Sequence, residues 1–284
     1  MNTLPLPSGA TIPTLGLGTW RLGESRASRA AEVAVVRTAI EIGYRLIDTA
    51  EMYGEGGAEE VVGQAVAEAL RAGDVRRDEL FIVSKVYPHN ASRVGVQAAC
   101  DRSRKRLGLD QLDLYLLHWR GRIPLAETVA AFERLRRDGK IVHWGVSNFD
   151  TADMEELWAV PEGRRCATNQ VLYHLGERSV EWALLPWMRA HRMPLMAYCP
   201  LGEGRLLADH RLATLATRLG AGAAEVALGW LIRQGDVIAI PQSSDPRHLR
   251  ANRAATEVRF DAAALASVDA AFPPPAGASP LVIV

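Results

Sequence analysis

A short apolar run, a loop with polar or glycine residues and an amphipathic helical segment follow one another eight times along the chain. Apolar runs without polar alternation are typical of parallel strands that are covered on both faces, because neither face meets water. Eight such units predict an α/β fold, a closed (β/α)8 TIM barrel, rather than an open doubly wound sheet. The runs occupy residues 15–18, 45–48, 80–85, 112–118, 141–147, 166–170, 194–198 and 237–241.

The segments between the runs carry apolar residues at helical spacing. Before the second run, for example, Val33, Val36 and Ile40 fall on one face of a helix. Four glycines follow such segments and predict helix ends, because glycine readily adopts the left-handed conformation that often ends a helix. They are Gly43, Gly73, Gly108 and Gly139.

The two ends of the chain have patterns of their own. Near the start, LPLPSGATIP (4–13) predicts an N-terminal β-hairpin that turns at Ser8 and Gly9 and closes the barrel floor. At the other end, a proline-rich stretch leads to the apolar LVIV (281–284). We expect this tail near the barrel mouth, with a contact to another subunit as the alternative.

No serine-rich or charged linker interrupts the pattern, so residues 1–284 are expected to form a single domain.

Charge and composition narrow the choice of partners. Positive and negative side chains balance at 33 each, so no global field would draw the protein to nucleic acid or an anionic membrane. No apolar stretch is long enough to span a membrane and the first residues do not resemble a signal peptide, which predicts a cytoplasmic protein. The three cysteines are widely spaced, which argues against a disulfide framework or a metal site. We expect a small-molecule partner, no metal, and a monomer or weak oligomer.

In a barrel of this kind the active site lies at the carboxyl ends of the strands, so the residues that end the runs are informative. Each of them has a structural alternative: Asp48 as a helix N-cap, Lys85 as its ion-pair partner, His118 as a hydrogen-bonded structural residue. Their joint placement at one mouth favours chemistry instead. In chain order the strand-end residues are Trp20, Asp48, Lys85, His118, Ser147, Asn148, Gln170, Tyr198 and Gln242.

Three of these residues suggest an acid built around Tyr53. A free tyrosine has a pKa of about 10, which is too high for efficient proton donation near neutrality. A nearby ammonium favours the phenolate and lowers that pKa, and a carboxylate keeps the ammonium charged and in place. We therefore predict that Lys85, supported by Asp48, activates Tyr53 to protonate a carbonyl oxygen, while His118 orients that oxygen.

Motifs over nearly the whole chain resemble those of the aldo-keto reductase superfamily. They are GLGTW (16–20), IDTAEMYGEGGAEEVVG (47–63), VSKVYP (83–88), LDLYLLHW (112–119) and WGVSNF (144–149). The stretches WRLGE, HWRG and QVLYHLG are most similar to bacterial methylglyoxal and small-aldehyde reductases. The resemblance implies hydride transfer from NADPH to a small carbonyl substrate without a metal. The catalytic tetrad it implies is Asp48, Tyr53, Lys85 and His118.

The resemblance also implies which residues meet the cofactor and the substrate. The implied contacts to the nicotinamide are Asp48, Ser147, Asn148, Gln170 and, by stacking on the ring, Tyr198. In the segment 240–252, the N-terminus of a helix would assist the binding of the phosphate anion. The other implied cofactor contacts are Gly18, Thr19, Trp20, Cys199, Pro200, Leu201, Gly202, Ile240, Pro241, Gln242, Ser243, Ser244, Arg247, His248 and Asn252. The expected substrate residues are Trp20, Tyr53, Tyr87, His118 and Trp119. For Trp20, Tyr87 and Trp119, which lie just beyond strand ends, packing at the rim of the pocket is the alternative.

Two positions depart from the family pattern at the site implied for the 2′-phosphate of NADPH. Gln242 stands where the family usually has lysine, and His248 stands where it usually has arginine. Two fixed positive charges are therefore missing. NADPH is still favoured because Arg247, Ser243 and Ser244 offer other contacts to a phosphate, and NADH is the alternative.

Other functions fit the sequence less well. A retaining glycosidase needs two carboxylates about 5 Å apart, whereas the fourth and seventh runs end in His118 and Tyr198. A metal-dependent hydrolase needs several histidine or carboxylate ligands, and the first run offers no HxH pair. A barrel protein that keeps a nicotinamide site but acts as a redox-sensing or regulatory binding protein is the main alternative. The basic stretch DRSRKR (101–106) lacks interleaved aromatic residues and is interpreted as a solvated helix face.

Overall fold

A two-stranded hairpin precedes an eight-stranded parallel sheet that follows the order of the chain. In the computed structural model, which describes residues 2–25 and 27–284, each strand of the sheet pairs with its neighbour in sequence. Leu15 also forms a parallel bridge with Ala239, so the first and last strands meet and the predicted barrel closes. The strands are β1 (Thr3–Pro5), β2 (Thr11–Pro13), β3 (Gly16–Gly18), β4 (Leu46–Asp48), β5 (Phe81–Val86), β6 (Leu112–Leu117), β7 (Ile141–Ser147), β8 (Asn169–Leu172), β9 (Leu195–Tyr198) and β10 (Val237–Ala239).

The sixth barrel strand is displaced from the run that predicted it. The run starts at residue 166, whereas β8 starts at Asn169, where its pairing with β9 begins. The preceding residues already pair with β7 on the other side. Ala167 N donates to the Trp144 carbonyl oxygen at 2.8 Å, and Val146 N donates to the Thr168 carbonyl oxygen at 3.1 Å. The predicted run therefore starts where the chain first hydrogen-bonds to β7, and β8 starts where the chain is hydrogen-bonded to both β7 and β9.

Helices follow the strands and bury their apolar faces against the outside of the barrel. Val33, Val36 and Ile40 are buried on one helix face, as predicted. The four glycines predicted to end helices all have positive φ angles, from 65° to 100°. The helices are α1 (Arg29–Glu41), α2 (Gly57–Ala72), α3 (Arg93–Leu107), α4 (Leu125–Arg137), α5 (Thr151–Ala159), α6 (Leu184–Ala190), α7 (His210–Leu219), α8 (Ala223–Ile232), α9 (Pro246–Ala254) and α10 (Ala262–Ala271).

Among residues 2–25 and 27–284, no single helix is both long enough and apolar enough to span a membrane. Helices α7 and α8 meet both conditions only when taken as a pair, and the chain bends by 82° between them.

The N-terminal hairpin plugs the barrel, as predicted. Strands β1 and β2 are antiparallel with Leu4 opposite Ile12, and Gly9 takes a φ of 87° in the turn. Because β2 ends just before the start of β3, the hairpin lies at the amino ends of the barrel strands, opposite the mouth. Its buried side chains share one apolar cluster with residues from inside the barrel, namely Leu46, Val83, Leu114, Leu116, Met196 and Ile238.

The C-terminal tail reaches the mouth of the barrel, the first of the two places that the sequence left open. After α10 the Arg211 guanidinium lies 4.5 Å from the centroid of the Phe272 ring, which anchors the start of the tail. Leu281 packs against the main core. Ile283 and Val284 line the cavity at the mouth, so the apolar end of the chain contributes directly to its wall.

Candidate active site

Lys85 lies at the centre of a buried hydrogen-bonded group at the carboxyl ends of β4 and β5. Its ammonium nitrogen is 2.7 Å from Asp48 Oδ2, 3.0 Å from the Thr49 carbonyl oxygen and 3.1 Å from the Tyr53 hydroxyl. These contacts use all three protons of the ammonium. Lys85 is 0% exposed and Asp48 is 2% exposed. Neighbouring parallel strands thus bring the carboxylate and the ammonium to one phenol.

Tyr53 begins a tight turn between β4 and α2. The next three residues, Gly54, Glu55 and Gly56, have φ angles of 56°, 52° and 93°. Glycine takes such angles freely, but at Glu55 this conformation costs about 1–3 kcal/mol and persists only if the surroundings hold it. The turn directs the Tyr53 side chain inward, where the Lys85 ammonium is 4.7 Å from the ring centroid.

The pKa of Tyr53 is governed by burial more than by the ammonium. Burial raises the pKa, Lys85 lowers it and Asp48 raises it, and the net direction is upward from the ordinary value of 10.0. The prediction that Lys85 brings this pKa down toward neutrality is therefore wrong in its net direction, because desolvation of the phenolate outweighs the attraction of the ammonium. Tyr53 carries its proton at neutral pH.

Asp48 and Lys85 form an ion pair within the same buried group. Burial lowers the pKa of Lys85, but Asp48 and Tyr53 raise it, and the net direction is upward. Burial raises the pKa of Asp48 against the opposing effects of the Lys85 ammonium and the Gln170 amide. Lys85 is therefore charged at neutral pH, and its ammonium favours the ionised form of Asp48.

His118 follows β6 and faces Tyr53 edge to face, with 5.7 Å between the ring centroids. Burial, and then the charge of Lys85, hold its pKa well below the ordinary value of a histidine, so the ring is neutral at neutral pH. The side chain is 8% exposed, and its Nδ1 atom is buried without a hydrogen-bond partner among the residues that the structure describes.

Amide and hydroxyl groups gather beside this cluster at the ends of β7, β8 and β9. Asn148 donates to the His118 carbonyl oxygen at 3.2 Å and accepts from the Tyr198 hydroxyl at 2.9 Å. The Ser147 hydroxyl donates to the Gln170 carbonyl oxygen at 2.8 Å. These four residues, which the resemblance assigns to the nicotinamide, therefore form one connected group.

Gln170 also makes a contact that the sequence did not predict. Its Nε2 donates to Asp48 Oδ1 at 2.7 Å and to Met196 Sδ at 2.9 Å. Both protons of the amide are therefore used within the protein, and Oε1 remains to accept from a ligand. Asp48 thus has Lys85 on one oxygen and Gln170 on the other.

A cavity of about 750 Å³ extends from Tyr53 and His118 to the first turns of α9. Lys85 is buried behind Tyr53 and does not line this cavity. The other predicted residues that do not line it are Gly202, Ser244, Arg247 and Tyr87. The cavity has amide groups at one end and a helix N-terminus at the other, which suits an elongated ligand that carries phosphate. The predicted residues that line it are Gly18, Thr19, Trp20, Asp48, Tyr53, His118, Trp119, Ser147, Asn148, Gln170, Tyr198, Cys199, Pro200, Leu201, Ile240, Pro241, Gln242, Ser243, His248 and Asn252.

The positive charge expected from Arg247 is balanced within the protein. Its guanidinium lies 2.7 Å from Asp245 Oδ2, and the same carboxylate caps α9 by accepting from the Arg247 backbone N–H at 2.7 Å. The Ser243 hydroxyl accepts from the Asp245 backbone N–H at 3.1 Å. Arg247 therefore offers little compensation for the charges that are missing at Gln242 and His248.

Tyr87 lies behind the predicted substrate wall rather than in it. Its hydroxyl donates to Glu55 Oε1 at 3.2 Å, and its ring packs edge-on against Trp119 at a centroid distance of 6.0 Å. Trp20 and Trp119 do line the cavity, as predicted. Tyr87 therefore fits the alternative of rim packing, since its ring supports Trp119 from outside the cavity.

Several lining residues were not anticipated from the sequence. Arg21 and Glu203 meet at 3.5 Å, and the Arg21 guanidinium stacks 4.5 Å from the Trp20 ring centroid. They are 182 residues apart in sequence, so no local spacing relates them. Their position in loops just after β3 and β9 is the one signal that pointed to the mouth. Apolar residues missed in the same way are Met52, Leu207, Ala224 and Ala251, whereas Ile283 and Val284 belong to the tail that was expected at the mouth.

Comparisons with known proteins identify the family of this chain. Residues 14–272 match the model of the aldo/keto reductase family. Methylglyoxal reductase YeaE of Escherichia coli (strain K12) is 48% identical over 279 residues, which cover 96% of each chain. A crystal structure of an aldo/keto reductase from Klebsiella pneumoniae in complex with NADP and acetate is 46% identical, with a TM-score of 0.92 and 99% of both chains covered.

A second Klebsiella pneumoniae structure, an aldo-keto reductase in complex with NADPH, is also 46% identical with a TM-score of 0.92. The match covers 100% of this chain and 99% of the Klebsiella pneumoniae chain. The family match spans all the barrel strands and every residue of the predicted tetrad. This chain therefore belongs to the aldo/keto reductase family of oxidoreductase enzymes.

Proposed function

We propose that this protein reduces small aldehydes or ketones, such as methylglyoxal, to alcohols with NADPH, and that Tyr53 is the proton donor. The observation that carries the proposal is the Lys85 ammonium, 3.1 Å from the Tyr53 hydroxyl and 2.7 Å from Asp48 at the wall of the cavity. The methylglyoxal reductase and the NADP(H) complexes among its relatives support the choice of substrate and cofactor. Membership of an enzyme family leaves the regulatory binding protein as the weaker alternative.

NADPH, when bound, supplies the hydride that reduces the carbonyl carbon. Tyr53 donates its proton to the carbonyl oxygen, and this role needs the protonated phenol that burial favours. Loss of the proton leaves a phenolate beside the Lys85 ammonium, which stabilises the new charge. On this proposal, Lys85 acts mainly when the phenolate forms, and Asp48 and the Thr49 carbonyl hold the ammonium in place.

His118 is proposed to orient the carbonyl oxygen as a neutral hydrogen-bond donor. Its Nδ1 is buried and unpartnered among the described residues, while the side chain also borders the cavity. A buried unpaired N–H is rarer than an unpaired acceptor, which favours a bare Nδ1 and a proton on Nε2. Nε2–H then provides the donor that faces the substrate.

The groups that would hold the nicotinamide carboxamide are Ser147, Asn148 and the free Oε1 of Gln170. The ring of Tyr198 would stack against the nicotinamide, with its hydroxyl anchored on Asn148. Residues 199–202 would follow the pyrophosphate, and the start of α9 would face the 2′-phosphate. These residues fit NADPH because amides, an aromatic face and a helix N-terminus succeed one another along a single cavity.

A substrate panel tests the proposed function. With NADPH absorbance as the readout, we expect faster turnover of methylglyoxal and glyoxal than of aromatic aldehydes, sugars or steroids. A preference for sugars or steroids would contradict the proposed substrate class. Equal rates with and without a carbonyl substrate would contradict carbonyl reduction itself.

Gln242→Lys should improve the use of NADPH more than that of NADH. The new ammonium restores a positive charge near the 2′-phosphate, where Arg247 is already paired with Asp245. We expect the KM for NADPH to fall about three- to tenfold, as for a partly exposed charge-assisted contact, and that for NADH to change little. Gln111→Lys is a matched control, since it adds the same charge next to β6 at the opposite end of the barrel. An equal change for both cofactors would rule the explanation out.

A further inference from the structure

The basic stretch 101–106 of α3 does not form only a solvated face. Arg102 lies 3.1 Å from Glu51 Oε2, and Arg106 Nε lies 2.6 Å from Glu59 Oε2. Residues four apart share a helix face, so both guanidinium groups reach toward the same side. Arg104 instead pairs with Asp101 on its own helix at 3.0 Å. The interpretation of this stretch as a solvated face is therefore incomplete: the Arg106 side chain is only 21% exposed, whereas that of Arg102 is 49% exposed and still reaches Glu51.

The two glutamates that these arginines bind lie on either side of Tyr53 in the sequence. Glu51 is two residues before it and Glu59 is six residues after it, at the start of α2. Glu51 is 6% exposed and Glu59 is 0% exposed. A buried carboxylate is stable only with cationic or hydrogen-bonding partners, so each pair fixes a point on the segment that carries Tyr53.

The same carboxylates also hold the strand that carries Lys85. Glu59 Oε1 accepts from the Ser84 hydroxyl at 2.5 Å, and Glu51 Oε1 accepts from the Tyr87 backbone N–H at 2.9 Å. Ser84 and Tyr87 lie one residue before and two residues after Lys85. The segment of the phenol and the strand of the ammonium are therefore joined through two shared carboxylates.

The turn after Tyr53 rests directly on one of the arginines. A side chain at Gly56 would place its Cβ 2.6 Å from Arg106 Nε, so the backbone lies against the guanidinium. The turn contains the strained Glu55, with a φ of 52°, and therefore needs external support. Arg106 supplies that support without lining the cavity.

We propose that the pairs Glu51–Arg102 and Glu59–Arg106 form a positioning bracket that sets the distance between the Tyr53 hydroxyl and the Lys85 ammonium. The four members are positioning residues, since none of them lines the cavity. The inference rests on the proposed role of Tyr53 as proton donor. Displacement of a reacting group by about 1 Å can cost about 10²-fold in rate, so loss of the bracket should slow proton transfer without removing the donor.

The test uses two variants in the full chain, each of which breaks one of the two ion pairs of the bracket. Arg106→Gln alone would leave the buried Glu59 without its cation and endanger folding, so it is combined with Glu59→Gln, which keeps the shape of the glutamate side chain and removes its charge. Arg102→Gln is the second variant, because Glu51 retains its bonds from Tyr87 N and from Asn90 Nδ2 at 3.0 Å. Arg104→Gln is the matched control on the same helix. Thermal unfolding establishes that each variant is folded at the assay temperature.

We expect each bracket variant to lose about 10- to 100-fold in kcat for methylglyoxal, while the KM for NADPH stays within about twofold. The ratio of rates in H₂O and D₂O should also rise, because proton transfer then limits the reaction more strongly. General structural damage would not raise this ratio. Arg104→Gln should leave all three quantities unchanged.

Two failures can be told apart by including Tyr53→Phe. If Tyr53→Phe is inactive but the bracket variants behave like Arg104→Gln, the bracket is wrong and the proposed donor stands. If Tyr53→Phe retains activity, the proposed donor is wrong and the bracket has no function to support. Equal losses in kcat and NADPH affinity with an unchanged solvent isotope ratio would also overturn the bracket.

Discussion

We expect Tyr53→Phe to lower kcat for carbonyl reduction by about 10³-fold while the protein still binds NADPH. The substitution removes one hydroxyl, and general acid catalysis by a positioned side chain contributes about 10²- to 10⁴-fold. Lys85 loses one of its three acceptors but keeps its contacts to Asp48 and the Thr49 carbonyl, so the variant retains the buried ion pair. The groups proposed to bind nicotinamide are untouched.

Initial rates with methylglyoxal and quenching of tryptophan fluorescence by NADPH measure the two parts of this prediction separately. Tyr115→Phe is the matched control, because its hydroxyl has no hydrogen-bond partner among the described residues, lies outside the cavity, and its ring keeps its packing against Phe132. We expect the control to keep nearly full turnover. Near-normal turnover in Tyr53→Phe would reject the assigned donor, whatever the affinity for the cofactor.

Residues that end strands could be placed from the sequence because a barrel imposes their direction. Asp48 ends β4, and the ends of adjacent parallel strands must meet at one mouth. Lys85 lies one residue before the end of β5, whereas Gln170 ended its predicted run but lies inside β8, which continues to Leu172. The pattern of apolar runs therefore carried enough information to gather these side chains, although it could not supply their distances.

The pKa of Tyr53 could not be predicted in the same way. Sequence shows that an ammonium is available, but not how much water the phenol loses. In the structure Lys85 lowers the pKa, yet burial raises it by more. Burial is a property of the whole packed mouth, which includes tail residues such as Ile283 and Val284, and it has no local sequence signal.

Contacts between distant segments were the other information that the sequence lacked. The bond from Gln170 to Asp48 spans 122 positions, and that from Arg106 to Glu59 spans 47. Each joins polar residues whose type alone fits a solvated surface equally well. Only the fold determines that a glutamate at the start of α2 is fully buried and must be met by an arginine.

Lys85→Met should both slow catalysis and destabilise the fold. Methionine keeps an unbranched stem but removes the ammonium that we propose stabilises the Tyr53 phenolate, and loss of such an electrostatic contact costs about 10²- to 10³-fold in kcat. It also leaves the Asp48 carboxylate, 2% exposed, without its cation. Breaking a buried pair from one side costs about 3–5 kcal/mol in the free energy of unfolding. Chemical denaturation and initial rates measure the two losses.

The two losses should separate in the double variant Asp48→Asn with Lys85→Met. Removing both charges restores much of the stability, because no unpaired ion remains buried, but activity stays low because the ammonium is still absent.

In Lys85→Met alone, the pKa of Asp48 rises further above its unfolded value of about 3.9, since burial already raises it in the presence of Lys85. Such a group stabilises the folded state below that unfolded value and loses this contribution as pH rises through its folded pKa. The deficit in Tm relative to the unmodified protein should therefore be smaller at pH 5 than at pH 8, and a deficit independent of pH would contradict an unpaired Asp48 as its cause.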